Sequence, residues 1–165
     1  MSRTININVF DRSSIEKAIK ELRDYKAFIL RKTHELAQRL ADDGAVAAML
    51  GYEQAYYRGD KDFDVNVEEL GENKFAIVAS GETVLILEFG AGVTYGYGHP
   101  QAGQFGYGPT TYPGQTHAAD PKGWWLPKAA GGGHTFGNAP SMTMYKVGKD
   151  LHNRVAEIAR EVFNT

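Results

Sequence analysis

The 165-residue chain has no cysteine. That excludes a disulfide scaffold, a thiolate nucleophile and any zinc or iron-sulfur centre held by sulfur, and it fits synthesis in a reducing cytoplasm. Long apolar runs are missing too. No window approaches the roughly 20 residues needed to cross a bilayer, and the opening stretch Met1 to Val9 lacks the unbroken apolar segment of a signal peptide. The expectation is a soluble, unexported protein that makes no use of a membrane. Nor is there an excess of charge of one sign. Eighteen basic residues against twenty acidic ones give a net charge of -2, without the basic field that drives binding to a phosphate backbone, so direct nucleic-acid readout is not expected. Internal repeats and long charge runs are also absent.

What is present divides into a regular part and an unusual part. The length suits one domain, residues 1–165, able to bury a moderate core. Residues 3–10 alternate Ile5, Ile7 and Val9 with Asn6 and Asn8, which predicts a short strand or extended arm. Ser13 and Glu16 have the spacing of a capping box and predict a helix start. From there Ile15, Ile19, Leu22, Lys26, Ile29, Thr33, Leu36 and Leu40 recur at three- and four-residue steps, a stripe ~42 Å long at 1.5 Å per residue. Gly44 is expected to interrupt this spine, with a second short helix from Ala45 to Tyr57. Phe63, Val65 and Val67 alternate with polar residues as a half-buried strand does. Gly71 to Lys74 is turn material, Phe75 to Ala79 predicts a second strand and Thr83 to Phe89 a third. Pro140-Ser141 reads as a helix start, and Met144, Val147, Leu151, Val155, Ile158 and Val162 form its apolar stripe. The expected architecture is α+β: a long N-terminal helix packed on a three- to four-stranded antiparallel sheet, a large Gly/aromatic insert and a closing C-terminal helix.

The insert, at about 93–138, is the unusual part. Gly90 to Ala139 holds thirteen of nineteen glycines, five of six prolines and eight of nineteen aromatics, with only Asp120, Lys122 and Lys128 charged. Disordered segments are poor in aromatics and rich in charge, so this one is expected to fold against something. The alternatives are an intersubunit or partner surface, intramolecular packing, or a ligand site. His99, His117 and His134 with Asp120 supply ligand types for zinc or non-haem iron, yet their spacing matches no metal motif, and hydrogen-bonded loop histidines are the plainer reading. Asp60, Asp62 and Asp64 imitate the opening of a calcium loop that fails at Val65 and Gly71. Glu88 follows four apolar residues and reads as a partly buried structural acceptor or an interface ion pair, since no second group accompanies it for acid-base work. Gly90 and Gly92 form a tight turn, because no helix pattern follows to cradle a phosphate. Trp124-Trp125 could stack on sugar or pack across an interface. No cofactor, no metal site and no catalytic residue is expected.

Several stretches taken in order resemble a known family. They are Asn73 to Tyr95 with its Glu88-Phe89-Gly90-Ala91-Gly92 step, His99-Pro100, Tyr112-Pro113-Gly114, Gly123-Trp124-Trp125, and Met142-Thr143-Met144-Tyr145 leading to Phe163. Together, over about Gly44 to Phe163, they are similar to the neck and minor tail component family of tailed bacteriophages and of prophages in Gram-positive bacteria. The sequence departs from it at Ala91, where threonine is frequent, and at Thr143 and Lys146-Val147, where proline and Asn-Thr are commoner. The resemblance implies a non-enzymatic virion protein made in the host bacterial cytoplasm. It would assemble with itself as a ring, usually of six copies, in the neck between portal connector and tail, with adjacent phage proteins above and below and DNA only passing through its channel. Tail terminator and tail-completion factor are alternatives within the same family, and a metal-dependent or carbohydrate-binding cell-wall protein is the alternative outside it. The expected interface residues are Glu88, Phe89, Gly90, Gly92, Tyr95, Tyr97, Tyr107, Tyr112, Trp124, Trp125, Met142, Met144 and Tyr145.

Overall fold

A computed structural model describes residues 4–93, 95, 98–107 and 119–164. The fold is α+β: a long N-terminal helix, two small antiparallel hairpin sheets and a C-terminal helix packed on the first. Among the described residues no helix is long and apolar enough to cross a membrane.

The first helix, α1, spans Arg12–Gln54. Its N-cap is Asp11, whose carboxylate accepts from the Ser13 backbone amide and the Ser13 hydroxyl, both at 3.0 Å. The helix thus begins ahead of the expected serine box, because the aspartate reaches the first orphan amides better placed than Ser13 does. Nor does the chain break at Gly44. A Cβ there would run into the terminal methyls of Ile77 and Leu151, and one at Gly51 would lie 2.6 Å from Thr143 Cγ2. These two glycines, seven residues apart on one face, are the places where other elements approach the α1 backbone closely. Local propensity, which disfavours glycine in a helix by about 1 kcal/mol, gives way to packing. The helix end is held by the Lys61 ammonium, which donates to the carbonyls of Tyr52 and Glu53.

Before α1, residues 4–8 have no regular structure, so of the two expectations for this stretch, a strand or an extended arm, the strand is not formed. The Asn8 amide instead donates to Ser14 Oγ (2.9 Å). Strands β1 (Asp64–Gly71) and β2 (Lys74–Ser80) form the expected hairpin, with Val65 opposite Ala79 and Val67 opposite Ile77. Asn73 takes the left-handed conformation its turn requires.

The expected third strand is a helix, α2 (Val84–Phe89). Its residues Val84, Leu87, Glu88 and Phe89 are all buried. A short run that is apolar on every side fits a buried strand and a buried helix equally well, and periodicity does not separate them. The turn ahead of it decides: Asp62 accepts the Glu82 amide on its carboxylate and the Thr83 amide on its carbonyl, which swings the chain inward and away from the edge of β2. The sheet therefore stops at two strands. The other two strands, β3 (Trp124–Leu126) and β4 (Gly133–Thr135), form a separate hairpin within the insert.

The closing helix, α3, runs Thr143–Asn164, three residues later than Pro140, because Met142 at φ 55° is left-handed and cannot continue a helix. It lies antiparallel to α1. Thr143 meets Gly51, Val147 and Leu151 meet Gly44, Arg39 pairs with Glu161 (2.6 Å), and Phe28 meets Phe163 edge-on (6.5 Å). The core lies where α1, β1, α2 and α3 converge, on Ala48, Tyr52, Val65, Val84, Leu87 and Val147.

A buried carboxylate junction as candidate functional site

The single carboxylate of α2 collects donors from three other parts of the chain. Glu88 Oε2 accepts from the Tyr52 hydroxyl of α1 (3.1 Å) and the Met144 amide (2.9 Å). Glu88 Oε1 accepts from His99 Nε2 (3.1 Å) and the Tyr145 amide (3.1 Å). Both oxygens are saturated. His99 Nδ1 accepts from the Gln101 amide (3.1 Å), so this network assigns the ring proton to Nε2. Glu88, Tyr52 and His99 are all buried.

The local sequence explains the arrangement. Val84, Leu87 and Phe89 turn α2 into the core, and the residue between the last two is carried in with them. The first amides of α3 have no partner within their own helix. A carboxylate placed there satisfies two of them and is itself favoured by the positive end of the helix dipole. Glu88 is therefore an N-cap supplied from 55 residues upstream. Burial, then the charge of Glu88 and its hydrogen bond, push the Tyr52 phenol above its ordinary range, so that it stays a donor.

Around the carboxylate the entering limb of the insert folds back on α2. Phe89 is ringed by His99 (4.4 Å between centroids), Tyr107 (4.4 Å) and Phe105 (5.7 Å), and His99 meets Tyr145 edge-on (5.6 Å). A cavity of about 290 Å³ remains between Tyr52, Leu85, Phe105 and Met144. The base of the insert is closed by a pair of backbone bonds, Ala91 amide to Asn138 carbonyl (2.8 Å) and Asn138 amide to Ala91 carbonyl (2.9 Å). Gly137, at φ 117°, lies against the Ala91 carbonyl with no room for a Cβ.

A carboxylate beside a histidine is one half of a familiar acid-base arrangement, which also needs a ring nitrogen free to take a proton from substrate. Here Nδ1 is held by a backbone amide and Nε2 by Glu88. The geometry holds four segments together.

The expected interface residues separate into two sets. Glu88, Phe89, Gly90 and Gly92 are buried within the chain, and Met142, Met144, Tyr145 and Tyr107 are half-buried around them. Trp125 and Tyr95 face outward, while Trp124 is half-buried on β3. Tyr97 and Tyr112 lie outside the described residues, as does His117. The other candidate metal ligands are apart in their surroundings. His99 is on Glu88, His134 sits between Trp125 (5.5 Å) and Phe136 (5.0 Å), and Asp120 caps the Lys122 amide (2.8 Å). Among the described residues no three histidine or acidic side chains gather in a metal-binding group. Sequence reading missed Tyr52 as a partner of Glu88, and although a hydrogen-bonded loop histidine was the plainer reading of His99, Glu88 was not named as its partner. The signal for both lies in a carboxylate embedded in an apolar run, which demands donors from elsewhere. Compared with known protein families, curated proteins and solved structures, the chain matches none.

Proposed function

We propose that the chain is a structural virion protein of a tailed bacteriophage, a homo-oligomeric ring subunit of the neck that joins head to tail around the DNA channel. The observation that carries this reading is the convergence on Glu88. The pieces of sequence on which the resemblance rests, the Glu88-Phe89-Gly90 step, His99 and Met144-Tyr145, meet at one saturated carboxylate and serve cohesion. A signature spent on holding segments together suits a building block.

The surface supports the same reading. Phe10 and Trp125 are exposed at 96% and 75%, and Tyr56, Val9 and Val46 are largely exposed as well. Large aromatics of this kind belong at interface centres. The balanced charge suits a channel through which DNA slides without cationic contacts to hold it.

The test is complementation of phage particles that lack the protein. Purified chain is expected to restore head-to-tail joining, and mass spectrometry of the resulting virions to find it in fixed stoichiometry. Absence from virions after successful joining would assign it instead to transient assembly, and failure to restore joining would remove the reading.

A further inference from the structure

Helix α1 is longer than its partner, and its two ends differ in charge. At the level of Phe28 the closing helix has reached Phe163, one residue from its end. Residues 12–27 run on past it for about 24 Å at 1.5 Å per residue. The apolar stripe nevertheless continues, and there Ile15, Ile19 and Leu22 are exposed at 38%, 44% and 53%, with the small Ala18 buried among them. Residues 12–31 hold six bases (Arg12, Lys17, Lys20, Arg23, Lys26, Arg31) against Glu16, Glu21 and Asp24, a net charge of +3.

The other end has the opposite character. Residues 40–54 hold Asp42, Asp43 and Glu53 and no lysine or arginine, a net charge of -3. Among them Val46 and Leu50, one turn apart, are exposed at 62% and 49%. Of the bases around this end, Arg154 of α3 is engaged by Asp150 (3.2 Å) and the Lys61 ammonium by the carbonyls of Tyr52 and Glu53. The helix dipole favours acids at the start of a helix and bases at its end. Neither terminal turn of α1 has them, so the stability of the helix does not account for this distribution.

We propose that the basic N-terminal segment of α1, through Ile15, Ile19 and Leu22, docks on the acidic part of α1 around Val46 and Leu50 of a second copy of the chain. Charge complementarity and the unfilled apolar stripe both point to this occupant. The two surfaces are different, so the contact is head-to-tail, and repetition about a rotation axis closes a ring. The inference rests on the ring-subunit reading above and supplies the contact it needs.

The experiment measures the mass of the full chain by light scattering and sedimentation velocity over a concentration series. Wild type is expected to form oligomers that weaken with added salt. Ile19→Glu with Leu22→Glu, and separately Val46→Glu with Leu50→Glu, are expected to weaken self-association at least about tenfold each. Helical circular dichroism should be unchanged, since the altered side chains are exposed. A mixture of the two variants retains one intact pair of surfaces and should stop at a heterodimer. Because the chain has no cysteine, a Leu22→Cys copy mixed with a Leu50→Cys copy reports the same contact, with oxidation expected to cross-link the mixture and neither variant alone. A wild type that stays monomeric, variants that assemble normally, or a mixture that stays monomeric would each overturn the proposal, as would cross-linking of Leu22→Cys with itself. Rings formed by both glutamate variants that still restore head-to-tail joining would overturn this contact and leave the neck reading standing. A wild-type chain that forms oligomers yet fails to restore joining would do the reverse.

Discussion

Changing Glu88 to glutamine replaces one oxygen by an amide group, and at this site that atom matters. A glutamine amide nitrogen donates, so two of the four donors now meeting the carboxylate would face another donor inside the protein. Leaving buried groups unsatisfied costs about 1–3 kcal/mol each. Glu88→Gln is therefore expected to lower stability by roughly 2–6 kcal/mol, read as a fall in the urea midpoint at constant slope. Tyr52 gives a prediction at the opposite end of the pH scale. Its phenol holds its proton more tightly in the folded chain than in the unfolded one. Above about pH 10, where the unfolded chain releases that proton, the folded state binds more protons and stability falls as pH rises. Below that pH the contribution is fully present. Urea titrations at pH 8 to 11 are expected to show this alkaline loss in wild type and a shallower one in Tyr52→Phe, which is less stable at pH 8 because Glu88 loses a donor.

Among the elements, the contact of α1 with α3 depends on small residues as much as on apolar ones. Gly44→Val would place branched methyls where Ile77 and Leu151 now sit, and is expected to cost about 1–3 kcal/mol by overpacking, visible as a lower thermal midpoint. The same contact shows what a sequence discloses and what it hides. The stripes of α1 and α3 and the alternation in β1 are periodic over many residues, so the α+β class and the order of these elements were legible. Gly44 was misread because its purpose is a tertiary contact about 100 residues away. The run ending at Phe89 was ambiguous because a six-residue segment with five apolar residues has no usable period, and β3 and β4 were invisible at three residues each. Of the candidate site, the burial of Glu88 could be inferred from its neighbours. Its donors could not, since they come from Tyr52, His99 and the start of α3. The length of the α1 stripe was legible and its cover was not: α3 has 22 residues against the 43 of α1 and cannot cover it all.

For the molecule as a whole, cohesion and outward contact are assigned to different parts. The Glu88 junction and the α1–α3 contact are inside, while the hairpin of the insert carries Trp125 at its surface. Trp125→Asp is accordingly expected to leave the thermal midpoint within the range of a surface substitution, about 0.5 kcal/mol, and to reduce rescue of head-to-tail joining by particles supplied with the variant. A comparable loss of rescue and of folding would instead place that tryptophan in the stability of the fold.

The two backbone bonds between Ala91 and Asn138 bring the ends of the insert side by side before it begins. A loop whose ends are pinned in this way is nearly independent of its own length as far as the rest of the molecule is concerned, because doubling a flexible loop adds only about 0.6 kcal/mol to its closure entropy. The hairpin of the insert is tied down a second time, where the Arg58 guanidinium donates to the His134 carbonyl (2.7 Å). Its strands are therefore part of the body, and its outer face, where Trp125 stands exposed, is the part open to exchange at little cost in stability.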